Sequence, residues 1–199
     1  MDSRLIAWGR AVKRRDPQAQ IPPLWFFTDA QRTPDPLAVI ARLPLGLCGV
    51  VLRHDQDPDR ARLARRVAKI CRARRLALII AGDARLAASL KAGLHLRGGA
   101  GRVRPHTGLR SASAHDEAQI RQARRAGVAL VFISPVHPTA SHPGARGLGA
   151  AGWRRLAARL TPVRGKAPIK PFALGGMNGR HARNLGPACA GVGAIDAFF

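Results

Sequence analysis

The stretch FALGGMNGRHARN (172–184) decides how this chain is read. Three apolar residues, Phe172 to Leu174, run into Gly175-Gly176, and Asn178 then opens a segment of helical composition. Glycines let a backbone approach an anion closely, and N–H groups exposed ahead of a helix attract negative charge. The same pair also serves a tight strand-to-helix turn. Taken alone, the two glycines leave both readings open; paired with GVGAI (191–195), a second glycine-rich edge further on, they favour phosphate.

Outward from this stretch, apolar strand-like runs alternate with helical ones. The runs are LWFFTD (24–29), LCGVVLRHD (47–55), LALIIAGD (76–83), GLHL (93–96), GLRSASA (108–114), VALVFISPV (128–136), KPFALGG (170–176) and GVGAIDAFF (191–199). Helices are expected at 36–43, 58–74, 84–92, after His115, through Leu160 and after Asn178, with another within Ser3–Lys13. Continuous apolar runs suit parallel strands covered by helices, and this alternation argues for an α/β fold. So many strands suit a (β/α)8 TIM barrel better than an open sheet. No GxGxxG follows the first strand, against a dinucleotide-binding sheet. The expected organisation is an N-terminal helical extension over 1–22 and one barrel domain over 23–199. Its last helix is missing or replaced by the N-terminal helix around Leu5–Val12.

With 199 residues and 46% hydrophobic content, the chain can bury a substantial core. No run of 18 apolar residues is present, so no membrane partner is expected. The N-terminus lacks a signal peptide's apolar core, and a cytoplasmic location is the default. Cys48, Cys71 and Cys189 have no CxxC spacing and read as reduced core residues rather than metal ligands. The 34 basic against 11 acidic residues give +23, a footprint that attracts polyanions or phosphorylated metabolites. The arginines are spread through helical stretches, without aromatic interleaving or an RNA-binding signature, which argues for solvated faces and against specific nucleic-acid binding. A homodimer is compatible with the sequence.

In such a barrel the chemistry lies at the C-terminal ends of the strands, with phosphate held after the seventh and eighth. ALGGMN (173–178) followed by GVGAI resembles the end of the thiamine phosphate synthase and thiazole tautomerase family. WFFTD (25–29), VVLR (50–53), LIIAGD (78–83), GLHL, LRSAS (109–113) and SPVHPTASHPGARGLG (134–149) resemble its earlier strands and substrate loop in order. The resemblance implies a (β/α)8 enzyme of thiamine biosynthesis acting on a phosphorylated small molecule. The synthase, a transferase, uses Mg²⁺ on the departing pyrophosphate, while the tautomerase, an isomerase, needs no metal.

The resemblance carries a catalytic role onto Arg53; His137, which replaces the loop's usual phenylalanine, is a candidate general base by its own chemistry, the alternative being a hydrogen-bonded surface residue. The resemblance assigns substrate or phosphate contacts to Ser113, Thr139, Ser141, Gly175, Gly176, Ile195 and Asp196. The departures fall on pyrophosphate and metal. Asp55 stands where the family has a lysine, Ala81 and Gly82 where it has Asn-Asp, and Ala100 where it has a second aspartate. His142 replaces a loop lysine, and Asp196 a serine. A hard dication needs oxygen ligands, so no cofactor is expected, and Mg²⁺ only in a working synthase. The reading is a divergent, metal-independent member; the alternatives are a barrel that binds a phosphate ligand without turnover and a basic nucleic-acid-binding protein. Among the remaining histidines, His95 reads as a core residue, and His54, His106 and His181 as solvated.

Overall fold

In the computed structural model, which describes residues 1–96, 108–139, 144, 146–160, 162 and 167–199, every apolar run forms a short strand. These are β1 (Leu24–Phe27), β2 (Cys48–Leu52), β3 (Ala77–Ala81), β4 (Gly93–Leu96), β5 (Arg110–Ala114), β6 (Leu130–Ile133), β7 (Lys170–Ala173) and β8 (Gly191–Ala194). Each pairs in parallel with the next, and β8 closes on β1 with Leu24 opposite Val192 and Phe26 opposite Ala194. The sheet is therefore a closed barrel, as the alternation predicts.

Alternate residues of each strand serve two layers. Trp25, Phe27, Val51, Ile79, Leu130, Phe132 and Phe172 fill the barrel interior. Phe132 is the hub, with ring centroids 4.8 Å from Phe27, 5.4 Å from Phe172 and 6.3 Å from Trp25. The intervening residues, such as Leu24, Phe26, Val50 and Val131, pack under the helices. The rings need room. A side chain on Gly49 would meet the Trp25 ring at 2.6 Å, one on Gly193 the Phe27 ring at 2.7 Å, and one on Gly191 the Phe172 ring. The glycines of GVGAI, expected to form an edge for phosphate, thus answer to ring packing inside the barrel.

The helices are α1 (Ser3–Arg15), α2 (Pro36–Ile40), α3 (Arg60–Ala73), α4 (Ala84–Ser89), α5 (Glu117–Arg125), α6 (Gly149–Ala158) and α7 (Gly179–Arg183), followed by a 3-10 turn over Asp196–Phe198. Asp2, Asp35, Asp83, Asp116 and Asn178 accept from first-turn N–H groups and set where α1, α2, α4, α5 and α7 begin. No helix among the described residues is long and apolar enough to cross a membrane. Cys48, Cys71 and Cys189 are buried and unbridged, and burial pushes each thiol up to about 12.

α1 packs beside α7 and against β1. Asp2 both caps it and accepts from the Gly179 N–H of α7 at 2.7 Å, while its own N–H donates to Ala197 O at 2.8 Å. Gly179 lies so close to Arg4 and Leu5 that no side chain fits between them, and Gly9 faces Leu24 of β1. Leu5 and Ile6 are consequently core residues. Leu5→Ala should lower unfolding free energy by about 2–5 kcal/mol, the range for a buried leucine, in urea titration; a loss below about 1 kcal/mol would mean that α1 is a dispensable appendage.

Candidate functional site

The C-terminal ends of β1, β2, β6, β7 and β8 surround a cavity of about 330 Å³, at the lower end of small-ligand sites. Pro135, Leu174, Met177, Ala194, Ile195 and Ala197 give it an apolar wall. Arg32, Arg53, Ser134, Thr139, Asn178 and Asp196 supply its polar groups, and Gly175-Gly176 forms the edge between.

The glycine edge is built by two loops zipped together. Val136 N–H donates to Leu174 O at 2.9 Å and His137 N–H to Gly175 O at 3.1 Å. Gly175 has φ +92° and Gly176 φ +60°, backbone that favours glycine. A Cβ at Gly175 would meet Pro135 at 2.8 Å, and one at Gly176 would meet His137 and Pro138 at 2.8 Å. Tight packing alone thus requires both glycines. Among the described residues neither glycine N–H donates to another backbone group, so both remain available to an anion. The Asn178 side chain is spent capping α7 through His181 N–H.

Opposite the glycines runs a chain of alternating charges. Arg53 Nη2 donates to Asp29 Oδ2 at 3.1 Å, Arg32 Nη2 reaches the same oxygen at 3.4 Å, and Arg32 Nη1 donates to both Asp196 oxygens at 3.0 and 3.2 Å. Burial alone would raise the Asp29 carboxyl. The Arg32 N–H, the Arg32 and Arg53 guanidinium charges and the Gln31 N–H outweigh it and hold the group below the usual carboxylate range. Thr28 fixes the base of Arg53: its hydroxyl accepts the Arg53 N–H at 3.0 Å and meets His54 Nδ1 at 2.9 Å. His54, expected to be solvated, is only 4% exposed because that bond draws it under the loop.

The structure therefore gathers Arg53, Thr139, Gly175, Gly176, Ile195 and Asp196 around one cavity and adds Arg32, which sequence reasoning missed. Ser113 is placed apart from the lining: its hydroxyl bonds His95 Nε2 at 3.0 Å, while His95 Nδ1 meets Ser111 at 2.8 Å between the Phe27 and Phe132 rings. His137 stands behind the glycine edge, stacked on His181 at 3.7 Å, and His181 Nδ1 donates to Gly176 O at 2.7 Å. His181 is thus a partner in the loop rather than a solvated residue. Burial and then the His181 charge lower the His137 pKa. Ser141 and His142, like Arg97, Ala100 and His106, lie outside the described residues.

The residues where the resemblance places Mg²⁺ do not suit it. Gly82 offers no side chain, and no acidic residue occurs between Asp83 and Asp116. Asp83 is already committed: Oδ1 caps α4 at Leu86 N–H at 2.9 Å, and Oδ2 lies 3.8 Å from Arg60 Nη1. The Arg60 guanidinium fills this corner, with Nη2 3.0 Å from Asp55 and 2.5 Å from Ala81 O. A cation already balances both acids. Among the described residues no cluster of three His, Cys, Asp or Glu side chains could hold a metal ion.

The family model for thiamine monophosphate synthase matches residues 24–197. Thiamine phosphate pyrophosphorylase from Pyrococcus furiosus superposes with TM-score 0.70 at 21% identity, over 87% of this chain and 85% of that one. The thiamine phosphate pyrophosphorylase from Bacteroides thetaiotaomicron gives TM-score 0.59 at 18% identity, over 89% and 84%. FabK from Thermotoga maritima shares the fold at TM-score 0.64 and 14% identity, over 89% of this chain but 58% of its own. No curated protein matches in sequence.

Because the Asp29 pKa is depressed in the folded state, its contribution is present above the ordinary carboxylate pKa and is lost as pH falls through the depressed value. Asp29→Asn should therefore lower the urea midpoint at pH 7, and by progressively less at acid pH, below the ordinary carboxylate pKa. An equal gap at neutral and acid pH would contradict the ion-pair role.

Proposed function

The chain belongs to the thiamine monophosphate synthase family, and from that premise we propose that it is a divergent, metal-independent member that binds a phosphorylated thiazole or a similar small phosphate ester at the C-terminal mouth of the barrel. The observation that carries this reading is the placement of Arg32 and Arg53 in the same apolar-walled cavity as the Gly175-Gly176 edge. The glycine N–H groups and the Thr139 hydroxyl suit a phosphate, and the backbone at Ile195 and Asp196 lies beside them. Leu174, Met177 and Ile195 form an apolar surface against which a heteroaromatic ring loses its water.

Negative charge developing on a departing group needs fixed positive charge near it, and preorganised guanidinium groups serve that purpose without a metal. Arg53 is the residue proposed for this, with its backbone pinned by Thr28 and its side chain by Asp29. His137 stacks on His181 behind the glycine edge, outside the cavity lining, so this reading gives it no proton-transfer step. The corner between β2 and β3, where a synthase would hold metal and pyrophosphate, is given to the Asp55–Arg60–Asp83 group. That group supports metal independence, since a dication there would meet a guanidinium.

One observation favours the second reading, a barrel that binds a phosphate ligand without turning it over: both cavity arginines are already paired with carboxylates. Steady-state coupling of thiazole phosphate with the pyrimidine pyrophosphate, with and without chelator, separates the readings. Turnover indifferent to chelator and lowered roughly 10²–10³-fold by Arg53→Met is the expected result. Turnover abolished by chelator would contradict metal independence, and bound thiazole phosphate with neither coupling nor tautomerisation would select the binding barrel.

A further inference from the structure

We propose that Arg32 is a phosphate ligand of this cavity and that Asp196 is its built-in competitor, a carboxylate that an incoming phosphate monoester displaces from the guanidinium. The inference rests on the proposed phosphate site and deepens it. Arg32 lies on the loop after β1, outside every motif that the resemblance supplies, yet its guanidinium lines the same cavity as Gly175-Gly176 and Thr139.

The two carboxylates that hold Arg32 are not equivalent. The Asp29 side chain is 15% exposed and bonds both Arg32 and Arg53, whereas the Asp196 side chain is 66% exposed. Asp29 is therefore a largely buried anchor behind the two arginines, and Asp196 an exchangeable partner at the rim. An ion pair with so exposed a partner is held weakly, because water solvates the carboxylate nearly as well as the arginine does. Arg32 already presents Nη1 to both Asp196 oxygens, at 3.0 and 3.2 Å. A guanidinium nitrogen that donates to two oxygens of one group can be shared in the same way by two phosphate oxygens, and phosphate brings more charge to the pair.

Exchange also resolves the charge conflict in the cavity. A carboxylate left beside a bound phosphate would oppose it. Once displaced, Asp196 swings from the exposed rim into solvent, while Asp29 keeps Arg32 in place. The pair thereby sets affinity: it weakens binding of small, singly attached anions and rewards esters whose organic part also fills the apolar wall formed by Leu174, Met177 and Ile195.

The test is calorimetric titration of the full chain with inorganic phosphate at pH 8 and low salt, in a double-mutant cycle. Asp196→Asn should tighten phosphate about tenfold, the equivalent of one displaced weak ion pair. Arg32→Gln should weaken it, and the double variant should lose the gain made by Asp196→Asn. Arg32→Lys, which keeps a cation against Asp29, guards against misfolding and should retain part of the affinity. Unchanged or weaker binding in Asp196→Asn, while the parent binds phosphate and Thr139→Val reduces it, would overturn the exchange and leave the phosphate site standing. Failure of every variant and of the parent to bind phosphate would overturn both. A tenfold gain that persists in the Arg32→Gln background would show simple repulsion by Asp196 and no role for Arg32.

Discussion

Asp29 is the constraint on which the mouth of this barrel depends. It stands just past β1 and accepts from guanidinium groups on two loops, Arg53 after β2 and Arg32 on its own. Through Arg32 the connection reaches Asp196, 164 residues away after β8. Without the carboxylate, two cations would face each other in a half-buried cavity, where Coulomb repulsion is poorly screened. With it, both side chains are held against the wall and directed towards the glycine edge. The polar half of the cavity is thus fixed by three neighbouring strand ends, and the apolar half by the packed loops after β6 and β7.

The same logic of exchanged charges recurs at the neighbouring corner. Asp55 stands where the family has a lysine, yet positive charge has not been lost: Arg60, from the first turn of α3, takes that space and bonds Asp55 and the Ala81 carbonyl. The cation has moved from a strand end to a helix start and is tied down by acids on both sides. Most of the remaining basic residues lie elsewhere. Arg62, Arg65, Arg66, Lys69 and Arg72 form the exposed face of α3, while Ala64, Val67, Ala68 and Cys71 form its buried one. This is the solvated-face arrangement that amphipathic spacing implies.

The barrel was legible in the sequence because most of its strands are apolar on both faces and several helix starts are marked by caps; Asp83, Asp116 and Asn178 mark helix starts within a residue of where they occur. The strand ends were read too long: FISPV and ALGG look like continuing strands, but their backbones turn aside to bond one another across the two loops. The cavity-lining glycines, Thr139, Ile195 and Asp196 were singled out by local motifs. Arg32, Arg60 and His181 were not, since nothing in QRTPDP or DPDRAR separates a site arginine from a surface one. Their meaning comes from partners that only the closed barrel supplies: Asp196 for Arg32, Ala81 for Arg60, His137 for His181. The glycines of β8 show the converse, a motif with a functional appearance whose spacing is set by the rings of Phe27 and Phe172.

The central claim is that this cavity recognises a phosphate ester through fixed backbone and arginine groups, without a metal. Isothermal titration of the full chain with thiazole phosphate and with the corresponding thiazole alcohol, each in the presence and absence of EDTA, tests it most directly. The account predicts that the phosphate form binds roughly 100-fold tighter, the equivalent of two charge-assisted hydrogen bonds, and that EDTA leaves both affinities unchanged. Equal affinity for the alcohol, or phosphate binding that disappears with EDTA, would contradict it.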